Sequence, residues 1–103
     1  MNPSILADRS RLASFCERRH LVELSVFGSV ARGEEGPESD VDVLVSFAAG
    51  SKASLSDLVE MREELRGLFG REVDLVEREA IRNPFRREAI MKDREVLYES
   101  RAA

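Results

Sequence analysis

Apolar residues recur along this chain with two different periods, and the switches between them divide it into helices and strands. Over residues 3–19, Ile5, Leu12, Cys16 and Arg19 fall at helical spacing, with Leu6, Ala13 and Phe15 widening the stripe, which predicts an amphipathic helix. Asn2 is placed to cap it and Pro3 to occupy its first turn. Residues 22–27 alternate instead, Val22, Leu24 and Val26 against Glu23, Ser25 and Phe27, the period of a strand with one mostly apolar face. A second strand is predicted over 41–47, where Val41, Val43, Val45 and Phe47 share a face in a run apolar enough for a central position. The clearest helix covers 55–69: Leu55, Leu58, Val59, Leu65, Leu68 and Phe69 share one face with Met61 at its edge. Ser54 is its cap, Asp57 lies in its first turn and Gly70 stops it. Val73, Leu75 and Val76 predict a third strand. Asn83-Pro84 begins a further helix with Phe85, Ala89, Ile90 and Met91 turned inward, and residues 95–98 read as a short last strand or a tail against the core.

The connecting segments are plain. Residues 29–33 form at most a short helix ended by Gly33, residues 34–39 have the composition of a surface turn, and residues 48–54 are a small-residue connector. Strands alternating with helices predict an α/β fold, a small mixed β-sheet of three or four strands with helices on one main face.

With 103 residues the chain is expected to be a single domain spanning 1–103, and 43% hydrophobic residues allow a modest core. Neither a basic leader with an apolar segment nor a run near the roughly 18 apolar residues of a membrane span is present, so a soluble, cytoplasmic protein without membrane contact is expected. A single cysteine, Cys16, excludes an internal disulfide and a cysteine-based zinc site and reads as a small core residue. The one histidine, His20, reads as a helix-end residue, and Tyr98 as a packing residue. A net charge of −4 argues against general nucleic-acid binding, which needs a basic surface. Arg82, Arg86 and Arg87 stay open between a triphosphate, an acidic partner surface and a solvated helix face.

One stretch carries candidate chemistry. Asp40 and Asp42, at i and i+2 where the second strand begins, point to the same side roughly 6 to 7 Å apart along the chain. Like charges that close repel unless a cation lies between them, and oxygen-only ligands suit magnesium better than zinc or copper. Gly28 and Ser29 end the first strand, where a glycine lets backbone approach a phosphate and a hydroxyl can hydrogen-bond it. Arg32 is read evenly as a partner for phosphate or a site carboxylate, or as a structural ion pair.

Gly28-Ser29, ten residues, then Asp40-Val41-Asp42, within the longer Phe27-Gly28-Ser29-Val30-Ala31-Arg32-Gly33 and Ser39-Asp40-Val41-Asp42, resembles the signature of the minimal nucleotidyltransferases of the DNA polymerase beta superfamily. The resemblance covers about residues 20–98 and implies a third acidic residue on a later strand, for which Asp74 is placed. It implies catalysis and metal binding by Asp40, Asp42 and Asp74, nucleotide binding by Gly28, Ser29 and Arg32, Mg2+ as cofactor, and a nucleoside triphosphate, ATP, as substrate. Stand-alone members are often paired with a HEPN ribonuclease toxin, and some are antitoxins that transfer AMP to a tyrosine of that toxin. The leading expectation is therefore a protein adenylyltransferase with a HEPN-type partner. The alternatives are an antitoxin that acts by occlusion without catalysis, and nucleotidyl transfer to a small molecule or RNA. A homo-oligomer is left open.

Overall fold

In the computed structural model, which describes residues 8–33 and 40–100, the first helix begins one residue after Asp8. Helix α1 (Arg9–Arg18) starts there because the Asp8 carboxylate accepts the otherwise unpaired N–H groups of Ser10 and Arg11 at 2.9 and 3.2 Å. The expected cap at Asn2 and Pro3 lies outside the described residues, as do Ile5 and Leu6 of the predicted stripe. Leu12, Phe15 and Cys16, spaced i, i+3, i+4, are buried. Burial pushes the Cys16 thiol up to about 12, in keeping with an inert core residue. His20, with φ of 59°, takes the left-handed turn that ends the helix and sends the chain into β1 (Leu21–Phe27).

From β1 the chain passes through α2 (Gly28–Ala31), β2 (Val41–Phe47), α3 (Leu55–Phe69) and β3 (Val73–Glu77). A 3-10 turn (Arg78–Ala80) then leads into α4 (Pro84–Asp93) and β4 (Glu95–Glu99). The four strands form one mixed sheet in the order β3-β2-β1-β4, with β1 antiparallel to both neighbours and β2 parallel to β3. Helices α1 and α3 make the main layer. Leu12, Phe15, Met61, Leu65 and Phe69 close over Leu24, Val26, Val43 and Val45 in one core. On the opposite face a smaller core joins Leu44 to Ile81 and Ile90, with Phe27, Val76 and Met91 at its edge, so α4 covers part of the second face. Among the described residues, no helix is long and apolar enough to cross a membrane.

The expected bounds of β2 and α3 hold to the residue. Helix α3 is closed by a reciprocal box, in which Ser54 Oγ accepts the Asp57 N–H at 3.1 Å and the Asp57 carboxylate accepts the Ser54 N–H at 2.9 Å. Gly70, with φ of 70°, supplies the left-handed stop.

Strand β1 lies between β2 and β4, and Glu23 and Ser25 are buried along with the apolar Leu24 and Val26. Two expectations need correction. In α3, Met61 is fully buried at the centre of the contact, whereas Leu55 is 79% exposed and Val59 is exposed, because the stripe that meets the sheet runs through Met61, Leu65 and Phe69 with Leu58 beside it. In α4 only Ile90 is buried and Met91 half-buried, while Phe85 is 82% exposed and Ala89 exposed, since one narrow stripe of this helix meets Leu44.

Candidate active site

The candidate residues gather where β1 ends and β2 and β3 begin. Phe27, the last residue of β1, is the antiparallel partner of Asp42, so Gly28 emerges beside that carboxylate. Gly28 has φ of 72°, and a Cβ built there would stand 2.3 Å from Asp42 Oδ2. Both the backbone conformation and the space require glycine at this position. Ser29 follows in the first turn of α2 and is half-buried.

Asp42 and Asp74 are register partners across the parallel β2–β3 pair. Register partners share a face and neighbouring strands run about 4.8 Å apart, so these carboxylates stand side by side. Asp40, exposed, immediately precedes β2, and the Val41 N–H donates to the Glu72 carbonyl at 2.9 Å, fixing the start of β2 against the start of β3. Burial first, then the charges of Asp74 and Asp40, raise the Asp42 carboxyl above its ordinary value, and the guanidinium groups of Arg32 and Arg86 offset part of that rise. Among the described residues, no three acidic, histidine or cysteine side chains already stand at metal-binding spacing. The donor chemistry nevertheless fits a hard divalent cation: three oxygen-only carboxylates that repel at close range, with backbone rather than side chain at Gly28 leaving room at the mouth.

The aspartates lie at an open end of the sheet rather than inside a cavity. A cavity of about 510 Å³ lies at the end of α3 among Glu63, Arg66, Gly67, Gly70, Arg71 and Glu72 and holds none of the candidate residues. Another, of about 250 Å³, touches Asp74 alone of them, from the outer edge of β3. The chemistry follows the carboxylates, because two of them are tied by strand register whatever cavities lie nearby.

Arg32 answers to more than one of the roles weighed for it. Its Nη1 donates to Asp93 Oδ2 of α4 at 3.1 Å, while its charge still acts on Asp42. Beneath the site lies a buried polar cluster that periodicity passes over. Arg94 Nε and Ser25 Oγ both donate to Glu23 Oε2, at 2.8 and 2.7 Å, and Arg94 Nη1 donates to the Met91 carbonyl at 2.6 Å. The cluster ties the end of α4 to the middle of β1. The one signal in the sequence is Glu23 itself, a carboxylate set in a strand otherwise apolar enough to be central.

Residues 9–97 match the family model described as a nucleotidyltransferase domain. Protein adenylyltransferase MntA of Thermococcus cleftensis is 39% identical over 82 residues, covering 80% of this chain and 78% of that protein. A solved structure assigned provisionally as a minimal nucleotidyltransferase is 38% identical, covers 84% of this chain and 86% of its own, and superposes with a TM-score of 0.71. The fold is also similar to that seen in a structure of a tri-AMPylated Shewanella oneidensis HEPN toxin in complex with MNT antitoxin. There the matched chain has a TM-score of 0.64 at 16% identity, with 89% of this chain and 70% of that one covered. With the match running from the start of α1 into β4, and two aspartates in register beside a side-chain-free Gly28, the chain belongs to the nucleotidyltransferase domain family.

Proposed function

We propose that this chain is a magnesium-dependent protein adenylyltransferase that moves AMP from ATP onto a tyrosine of a HEPN-type toxin and thereby acts as its antitoxin. The observation that carries the proposal is the side-by-side placement of Asp42 and Asp74 against Gly28, in a chain 39% identical to a named protein adenylyltransferase. The AMPylated HEPN toxin in the complex of similar fold supports the choice of acceptor.

Asp40, Asp42 and Asp74 would hold the metal. Bound there, it would offset part of the triphosphate charge and polarise the alpha phosphate. Gly28 lets the phosphates come up to the backbone, and the Ser29 hydroxyl donates to a phosphate oxygen. The Asp74 carboxylate, exposed at the edge strand, takes the proton of the incoming tyrosine hydroxyl. The tyrosine oxygen then bonds to the alpha phosphorus as its bond to the bridging oxygen breaks, and pyrophosphate leaves in line.

The test is intact-mass measurement of the partner protein after incubation with this chain, magnesium and each nucleoside triphosphate in turn. A gain of one or more adenylyl groups with ATP is expected, lost when the partner's tyrosine is replaced by phenylalanine. An unmodified partner that is still neutralised would replace this reading with occlusion.

A further inference from the structure

We propose that Arg86, in the first turn of α4, binds the beta and gamma phosphates of the nucleotide, a role that rests on the adenylyltransferase reading above. Three other arginines of this region are already engaged. Arg32 is held by Asp93 at 3.1 Å, Arg87 Nη2 donates to the Ile81 carbonyl at 2.6 Å, and Arg94 is bound to Glu23 and to the Met91 carbonyl. The Arg86 side chain makes no hydrogen bond or ion pair among the described residues, although its backbone N–H donates to the capping Asn83 Oδ1 at 3.3 Å.

Helical spacing turns this free guanidinium toward the aspartates. Arg86, Ile90 and Asp93 stand at i, i+4 and i+7, on one face of α4. Ile90 is buried against Leu44, which lies two residues beyond Asp42 on the same face of β2, and Asp93 grips Arg32. The face that bears Arg86 is therefore the face α4 lays over the site, and Arg86 is one of the two cations whose charge acts on Asp42. Arg82 precedes the Asn83 cap and is not among the charges acting on that carboxylate.

The cluster needs such a group. Three carboxylates repel a polyphosphate, and the two charges of one divalent cation do not balance the carboxylates and a triphosphate together. A guanidinium offers a planar fork that matches two phosphate oxygens, and an exposed one pays little desolvation before the ligand arrives. The Phe85 and Arg86 N–H groups are taken by Asn83, so the side chain rather than the helix end is the anion-binding element.

Calorimetry of ATP and of AMP in magnesium, with steady-state transfer to the partner protein, tests this on wild type, Arg86→Gln, Arg86→Lys and Arg82→Gln, each checked by thermal melting. Arg86→Gln should weaken ATP binding and raise KM for ATP by roughly tenfold to a hundredfold, the loss of one charged hydrogen bond or a pair. AMP binding and KM for the protein acceptor should not move, Arg86→Lys should recover part of the loss, and Arg82→Gln should match wild type. Equal ATP affinity in Arg86→Gln, an equal loss for AMP, or a defect confined to the acceptor KM would overturn the assignment. A wild-type chain that binds ATP and modifies no protein overturns the adenylyltransferase reading, and the binding comparison still decides on Arg86. A wild type that binds no ATP overturns both.

Discussion

Gly28 and Asp42 stand so close that no side chain fits between them: a Cβ on residue 28 would come within 2.3 Å of Asp42 Oδ2. Gly28→Ala adds this clash to a left-handed backbone that costs an L-residue about 1 to 2 kcal/mol. The variant should lose at least about 1 kcal/mol in denaturant unfolding and most of its transfer activity, since Asp42 must swing away. Wild-type activity at wild-type stability would contradict the placement of Gly28.

Asp42→Asn separates charge from structure. The folded chain raises the carboxyl of Asp42 above its ordinary value of 3.8, so it binds a proton more tightly than the unfolded chain does. Stability from this group therefore falls as pH rises from about 3.8 through the raised folded value, and the penalty is complete above it. Without metal, Asp42→Asn should melt at or above the wild-type temperature at pH 7, and the difference should vanish below pH 3.8. Transfer should be abolished. A marked loss of melting temperature with activity retained would make Asp42 structural instead.

Ser29→Ala distinguishes an enzyme from an occluding antitoxin. Losing one hydrogen bond to a charged phosphate is worth roughly 1.5 to 3 kcal/mol, about a tenfold to hundredfold drop in kcat/KM. Pull-down of the partner should be unchanged, because one hydroxyl offers almost no contact area. Growth rescue from the co-expressed partner should weaken in Ser29→Ala and fail in the double variant Asp40→Ala, Asp42→Ala. Full rescue by that double variant would sink the enzymatic reading.

Arg94→Met tests the support beneath the site. It leaves Glu23, buried in β1, without its cation, and removing one partner of a buried ion pair costs about 3 kcal/mol or more. The double replacement Glu23→Gln, Arg94→Met should recover much of that loss. A double variant no more stable than Arg94→Met would show that the two residues act independently.

The fold was legible wherever one face of an element decides its burial. Asp57, Gly70 and the β2 run announce themselves through local chemistry, Asp40 and Asp42 through strand spacing, and Asp74 only through the family resemblance. What lay beyond reading was which faces the other elements cover. Phe85 and Leu55 belong to apolar stripes yet stand exposed, and Glu23 is buried on a face where Ser25 and, 71 residues later, Arg94 donate to its carboxylate. The pairing of Arg32 with Asp93 joins two segments 61 residues apart, a distance at which no periodicity speaks.

The parallel pairing of β2 with β3 bears on how the site comes into being. Antiparallel strands can be joined by a tight turn, whereas Asp42 and Asp74 on parallel strands meet only after the chain has crossed over through α3, a loop closure whose entropy precedes any reward. No local fragment of this chain can carry the pair, and whatever ligand binds across it binds the finished crossover alone. Occupancy must then slow the opening of β3 as a mass-action effect, so amide hydrogens at the sheet edge become a reporter of nucleotide at a distance from the chemistry.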